Sequence, residues 1–261
     1  MFSLTYFKRT IKSNIKLWAI ITGVLCLLIG IVMKVFDPEM INEMVAQQEA
    51  MGGFNPLGEM SSLLSLISNQ YFGMFAIIFP MVYIFITGNK MIAGKVDKGS
   101  MANDLAAPLS RTQITFTSAI YMIVSLIVMF GCIDGVGIAV AEITQPGQLD
   151  IDVFLQLSLG CLLLHFAISA ISFLGSCLFN SSGKSLALGA GIPLACFALQ
   201  QLSDMSDSLE NLRYLSINTL FDTEAIVNGE AFAGKLVALV AIGLLCYIAG
   251  SIIFKKKDLP L

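Results

Sequence analysis

The sequence has little charge, one histidine, one tryptophan and no basic arm. Charged residues make up 13% of its 261 positions, against about 25% in an ordinary soluble domain. No Lys/Arg-rich stretch exists that would track a phosphate backbone, which argues against a nucleic-acid partner. The only histidine, His165, has no carboxylate cluster near it in sequence, which argues against a catalytic metal centre. The cysteines, Cys26, Cys132, Cys161, Cys177, Cys196 and Cys246, all lie in apolar stretches, and no two are spaced C-x-x-C. They read as small packing residues rather than a disulfide framework or zinc site. Gly183-Lys184-Ser185 resembles the end of a phosphate-binding loop, but that motif needs glycine at 178, where leucine stands. It also needs a preceding strand, and that stretch reads as a membrane helix.

What fills the chain is apolar sequence, 56% of all residues. Six stretches are long enough to cross a bilayer, at roughly 17–36, 71–91, 114–142, 154–179, 185–202 and 236–254. Each is expected to be helical, because backbone N–H and C=O groups must be satisfied internally in lipid. Pro80 and Pro193 fall mid-span and predict kinks. The first run is read as a retained span: its basic flank is long, and Asp37-Pro38-Glu39 follows where small cleavage-site residues would be needed.

The charges are sorted by side. Twelve basic residues (Lys8, Arg9, Lys12, Lys16, Lys90, Lys95, Lys98, Arg111, Lys184, Lys255, Lys256 and Lys257) fall at one face of the six-span pattern. Only Lys34, Arg213 and Lys235 fall at the other, which holds most of the acids. Basic residues favour the cytoplasmic side, so both termini are expected there, in a multi-pass protein of the cell membrane. The expected fold is all-α and polytopic, one transmembrane domain over 1–261.

Three extramembrane features complete this expectation. Residues 1–16 place Phe7, Ile11 and Ile15 on one stripe, followed by Trp18, with Lys8, Arg9, Lys12 and Lys16 opposite, as in an interfacial helix beside anionic lipid. The outer segment 37–70 opens with Asp37 as N-cap and Pro38 at the first helical position, and Gly52-Gly53 closes that helix. Segment 203–235 mixes Leu209, Leu212, Leu215, Ile217, Leu220 and Phe221 with polar residues, which suits short interfacial or re-entrant helices; a solvated loop is the plainer alternative.

The cytoplasmic loop 94–113 is internally organised. Gly94 and Gly99 interrupt it, Ser100 can cap a helix from Met101 to about Ala107, and Pro108 stops that helix. Ser110 and Gln113 form a capping box for the third span. A short helix is thus held between two long ones, with Ala102, Ala106 and Ala107 small enough to enter a groove on a partner.

Within the spans, Asp134 and His165 are candidates for an intramembrane polar site, either as a functional pair or as packing groups. Gly131 with Gly135, and Ala187 with Gly191, have the spacing that lets helices approach closely, within the chain or at a subunit interface.

Asp97-Lys98-Gly99-Ser100-Met101, then Leu105 and Ala107-Pro108-Leu109-Ser110-Arg111, resembles the coupling element of type 2 ABC transporter permeases. The tail Phe254-Lys255-Lys256-Lys257-Asp258-Leu259 is similar to that family's ending, and six spans agree with it. Bacterial permeases for antimicrobial or cytolytic peptides, of the phenol-soluble modulin and bacitracin-resistance type, look most similar. The resemblance implies an exporter subunit for an amphipathic peptide, toxin or drug-like substrate, without a catalytic site or cofactor of its own. ATP and Mg would be bound by a separate ABC ATPase subunit, and a second permease, identical or homologous, would complete the assembly in membrane lipid. It further implies that Gly99, Ser100, Met101, Leu105, Ala106, Ala107, Pro108 and Arg111 form the ATPase-coupling element. Lys98, Asn103 and Asp104 depart from the pattern. The alternatives are an ATPase-independent secondary transporter or channel, which usually shows internal repeats or more intramembrane charge, and a membrane enzyme, for which no nucleophile–base pair is present.

Overall fold

Apolar sequence punctuated by few breakers makes long helices, and the computed structural model is nearly all helical over the residues it describes, with no strand among them. Those residues are 2–35, 64, 67–106, 109–204 and 207–259. The expected caps at Asp37 and Gly52-Gly53, and the coupling-element residues Ala107 and Pro108, lie outside them. Six helices are long and apolar enough to cross a membrane: Leu4–Val35, Ile67–Met91, Arg111–Thr144, Ile151–Leu178, Ser182–Ser203 and Ala233–Lys256.

The first helix, α1 (Leu4–Val35), is uninterrupted. The amphipathic stretch 1–16 and the first span are therefore one element rather than two. No glycine or proline falls between Leu4 and Gly23 to separate them. At 32 residues α1 is roughly 48 Å long, so its basic turns project beyond an apolar slab of about 30 Å.

The second span starts earlier than expected, as a π-helical stretch Ile67–Phe75 that runs into α2 (Ala76–Met91). Two short helices, α3 (Ala93–Asp97) and α4 (Met101–Ala106), lead to α5 (Arg111–Thr144). The Ser110–Gln113 capping box that opens α5 is formed in both directions. Asp150 caps α6 (Ile151–Leu178) by accepting from the amides of Asp152 and Val153. The fifth span is broken into α7 (Ser182–Gly189) and α8 (Gly191–Asp204). The break falls four residues before Pro193, at the Gly189 carbonyl that a residue with an N–H at 193 would have served. The expected mid-span interruption at Pro193 is thus present, and the proline itself sits in the first turn of α8, where its missing donor is tolerated.

Helix α6 is the axis of the bundle. It packs against α2, α5, α7 and α10 (Ala233–Lys256), while α1 lies along α5. Large apolar residues on the other spans stay exposed, among them Ile20, Leu27, Val237 and Leu245, as expected of faces that meet lipid. Close packing uses other glycines than the sequence spacing indicated. A Cβ on Gly189 would lie 2.9 Å from Ser172 Cα, and one on Gly175 would lie 3.0 Å from Gly189 N. Gly131, Gly135 and Gly191 have no close neighbour among the described residues, so neither small-residue pair carries a close helix contact there.

Between α8 and α10 the chain turns back into the bundle. The 3₁₀ helix Asp207–Leu215 returns along α8, followed by a second, Ile217–Leu220, and by α9 (Thr223–Val227). Ser216 Oγ donates to the Cys196 carbonyl at 2.8 Å, eight residues and so about 12 Å from the end of α8. Phe221 fills the notch at Gly160, where a Cβ would lie 2.9 Å from its ring. The segment is re-entrant rather than a solvated loop.

Candidate functional site

Both chain ends lie at one end of the bundle. Ser3 N donates to Thr117 Oγ1, and Arg111 Nη1 donates to the Lys257 carbonyl. Lys257 Nζ reaches the Cys177 carbonyl at 3.1 Å. Arg111, assigned to the coupling element from sequence, thereby ties the start of α5 to the end of α10 and, through Lys257, to the end of α6.

The short helix α4 sits at this same end. Gly99 precedes it at φ 69°, the left-handed region where glycine meets no Cβ penalty. Its inward face is Met101, fully buried, and Asp104, 1% exposed. Leu105 is half-buried against the core, and Asn103 and Ala106 point outward. Ser100, expected as a cap, donates its hydroxyl to the Lys95 carbonyl at 3.3 Å, which fastens the turn to α3.

Asp104 is the anchor. Its Oδ1 accepts from Arg9 Nη1 at 2.7 Å and its Oδ2 from Lys95 Nζ at 2.7 Å. Lys95 Nζ also lies 3.0 Å from Tyr6 Oη and 4.5 Å from the centre of that ring. A carboxylate withdrawn from water is expensive unless paired and hydrogen-bonded, and this one has a cation on each oxygen. One residue of α4 is thus bound to α1 and to α3 at once. The sequence reading treated Asp104 as a departure from the pattern and did not identify Arg9, Lys95 or Tyr6 as its partners. The available signal was one acid inside a loop whose other charges, apart from Asp97, are basic.

Asp134 and His165 make no hydrogen bond to each other; each has its own partners. His165 is fully buried, with Nδ1 2.8 Å from the Cys161 carbonyl and Nε2 3.1 Å from the Ile77 carbonyl. Cys161 Sγ approaches the Ala76 carbonyl at 3.6 Å. Pro80 cannot donate to Ala76 four residues earlier, so α6 supplies partners in the turn where α2's own ladder is interrupted. Asp134 instead lies within hydrogen-bond reach of Ser158, and its Oδ1 has no partner among the described residues. No group of three or more His, Cys, Asp or Glu able to hold a metal occurs among the described residues.

At the opposite end Asp222 fixes the re-entrant segment. It caps α9 through the Ala225 amide at 3.0 Å and accepts from Lys235 Nζ at 2.6 Å. Burial pushes its carboxyl up, but the Lys235 and Ala225 hydrogen bonds and the Arg213 charge outweigh that and hold it below the ordinary carboxylate value.

A search of curated proteins found no match. The model of the ABC-2 family transporter proteins matches residues 7–259, nearly the whole chain. Six membrane-spanning helices, an organised loop between the second and third, and this match lead to one conclusion: the chain belongs to the ABC-2 transporter family and is an ABC transporter permease, a multi-pass membrane protein.

Proposed function

We propose that the protein is the membrane subunit of an ABC exporter that moves an amphipathic peptide, toxin or drug-like molecule, driven by a separate ATPase subunit that docks on α4. The observation that carries this reading is the anchoring of α4 through Asp104. A displacement of α4 is passed directly to α1 through Arg9 and to α3 through Lys95. Helix α1 lies along α5, and α3 continues from α2, so three spans feel the motion. Asn103 and Ala106 remain outward for the ATPase.

In this reading both termini are cytoplasmic, because the basic residues gather at their end of the bundle. The re-entrant segment then lies at the outer end, where it closes the exit path until the spans move. A second permease, identical or homologous, sits against the open face of α5 at Gly131 and Gly135. The chain supplies no nucleotide site; ATP and Mg belong to the partner.

The test is to isolate the tagged protein from its native membrane and identify what accompanies it, then to measure substrate-stimulated ATP hydrolysis. An ATP-binding subunit is expected to co-purify. Ala106→Trp should leave the protein inserted and abolish the stimulation. Normal stimulation in that variant would overturn the docking assignment, and absence of an ATP-binding subunit would overturn the partnership.

A further inference from the structure

A cleft of about 490 Å³ opens beside α4, between the end of α2, the α3–α4 turn and the start of α7. Lys90, Lys95 and Lys98 all line it. Lys95 is paired with Asp104, whereas among the described residues Lys90 Nζ is held only by the Ser13 carbonyl, at 2.7 Å. Lys98 makes no hydrogen bond or ion pair among the described residues. The nearby acid, Asp97, is turned to the Ser182 amide at 3.2 Å. A cleft walled by cations of one sign concentrates counter-anions. In the same wall Asn89 Oδ1 is buried without a hydrogen-bond partner among the described residues.

The apolar part of the lining is placed in register with the polar part. Ile86 stands four residues before Lys90 on α2, and Leu186 four residues after Ser182 on α7, so each pair shares a helix face. α2 runs toward this end of the bundle and α7 runs away from it. Both Ile86 and Leu186 therefore sit about one turn, roughly 5 Å, deeper in the span than their polar neighbours. Both are exposed, at 47% and 37%. Cations at the end of the span with apolar side chains one turn deeper match the boundary between a headgroup and its acyl chains.

We infer that this cleft is a phosphate-binding site for the headgroup of an anionic glycerophospholipid in the leaflet at the chain-terminal end of the bundle. Lys90 and Lys98 hold the phosphodiester, the headgroup hydroxyls of a lipid such as phosphatidylglycerol supply the donor that Asn89 Oδ1 lacks, and Ile86 and Leu186 receive the first acyl carbons. The inference requires only that the protein is embedded in a membrane; it does not rest on ATPase docking, and its test contains no ATPase.

The full chain, purified in a neutral detergent, is titrated with phosphatidylglycerol and with phosphatidylcholine, and bound lipid is counted by native mass spectrometry. Phosphatidylglycerol should bind more tightly than phosphatidylcholine. The double variant Lys90→Gln, Lys98→Gln should weaken phosphatidylglycerol by about 30-fold, the loss expected of two interfacial lysines. Lys255→Gln with Lys256→Gln, at the same end but outside the cleft, should leave binding within about twofold of the parent. Circular dichroism and thermal unfolding establish that each variant is folded. Competition by millimolar inorganic phosphate would identify free phosphate as the source of the same chemistry, and its failure to compete identifies the lipid. Equal binding of the two lipids, unchanged binding in the cleft variant, or an equal loss in the control pair would overturn the site.

Discussion

Asp104 Oδ1 lies 2.7 Å from Arg9 Nη1 across 95 residues of chain, and the contact ties the loop between the second and third spans to the first helix. The carboxylate side chain is wholly buried, whereas that of Arg9 is 67% exposed. The two partners of Asp104 are therefore unequal: Lys95, at 23% exposure, is the better shielded.

Asp104→Ala should cost about 3 kcal/mol in detergent-solubilised unfolding, since it strands a partly buried lysine beside an empty pocket. Arg9→Ala should cost less than about 1 kcal/mol, because the exposed pair is screened. Asp104→Asn should keep the shape and lose most of the coupling. If Arg9→Ala proves as damaging as Asp104→Ala, the anchor is wrongly weighted.

The glycines give opposite signs. Gly189→Ala brings a Cβ to 2.9 Å from Ser172 Cα, a backbone atom that cannot yield cheaply, and should destabilise by about 1–3 kcal/mol. Gly135→Ala meets open space and should be neutral or stabilising by up to about 1 kcal/mol in the isolated chain. Thermal unfolding of the two variants side by side decides this. A second subunit seated on α5 would show as a loss of association in Gly135→Leu without loss of fold.

Asp134 and His165 share no hydrogen-bond partner, so Asp134→Asn and His165→Gln should couple by no more than about 1 kcal/mol in stability. His165→Gln should be the costlier, because it disturbs the contact to the Ile77 carbonyl near Pro80. Export assays at matched expression test a transport role separately. Normal export by both single variants would reduce them to packing groups, and strong coupling in the double variant would contradict their separate hydrogen bonding.

The re-entrant segment should loosen in acid. The carboxyl of Asp222 titrates below its ordinary value, so its stabilising contribution is complete above the unfolded pKa of about 3.9 and disappears as pH falls through the lower folded value. Hydrogen exchange over residues 216–227 should rise below about pH 4 in the parent. In Asp222→Asn it should already be raised at neutral pH and vary little with acid. A parent profile flat to pH 2 would refute the linkage.

Orientation is testable in cells with the six native cysteines replaced. A cysteine at exposed position 230 should react with an impermeant external reagent, and one at 98 should not. Strong external labelling at 98 would invert the proposed topology.

The sequence by itself determined the six helices, because spans, prolines and caps are local: about 20 apolar residues have one stable backbone arrangement in lipid. The Ser110–Gln113 capping box and the position of α4 were legible for the same reason, each being set within a few residues. The Asp104–Arg9–Lys95 cluster, the re-entry of Ser216 to Cys196 and the distinct hydrogen-bond partners of Asp134 and His165 were not. Each depends on which helix faces which, and among helices that are apolar nearly all round no periodicity marks the packed face. Only the tertiary structure decided that Gly175 and Gly189, rather than Gly131 and Gly135, carry the close contact, because spacing reports which residues share a helix face but not whether a neighbour covers it.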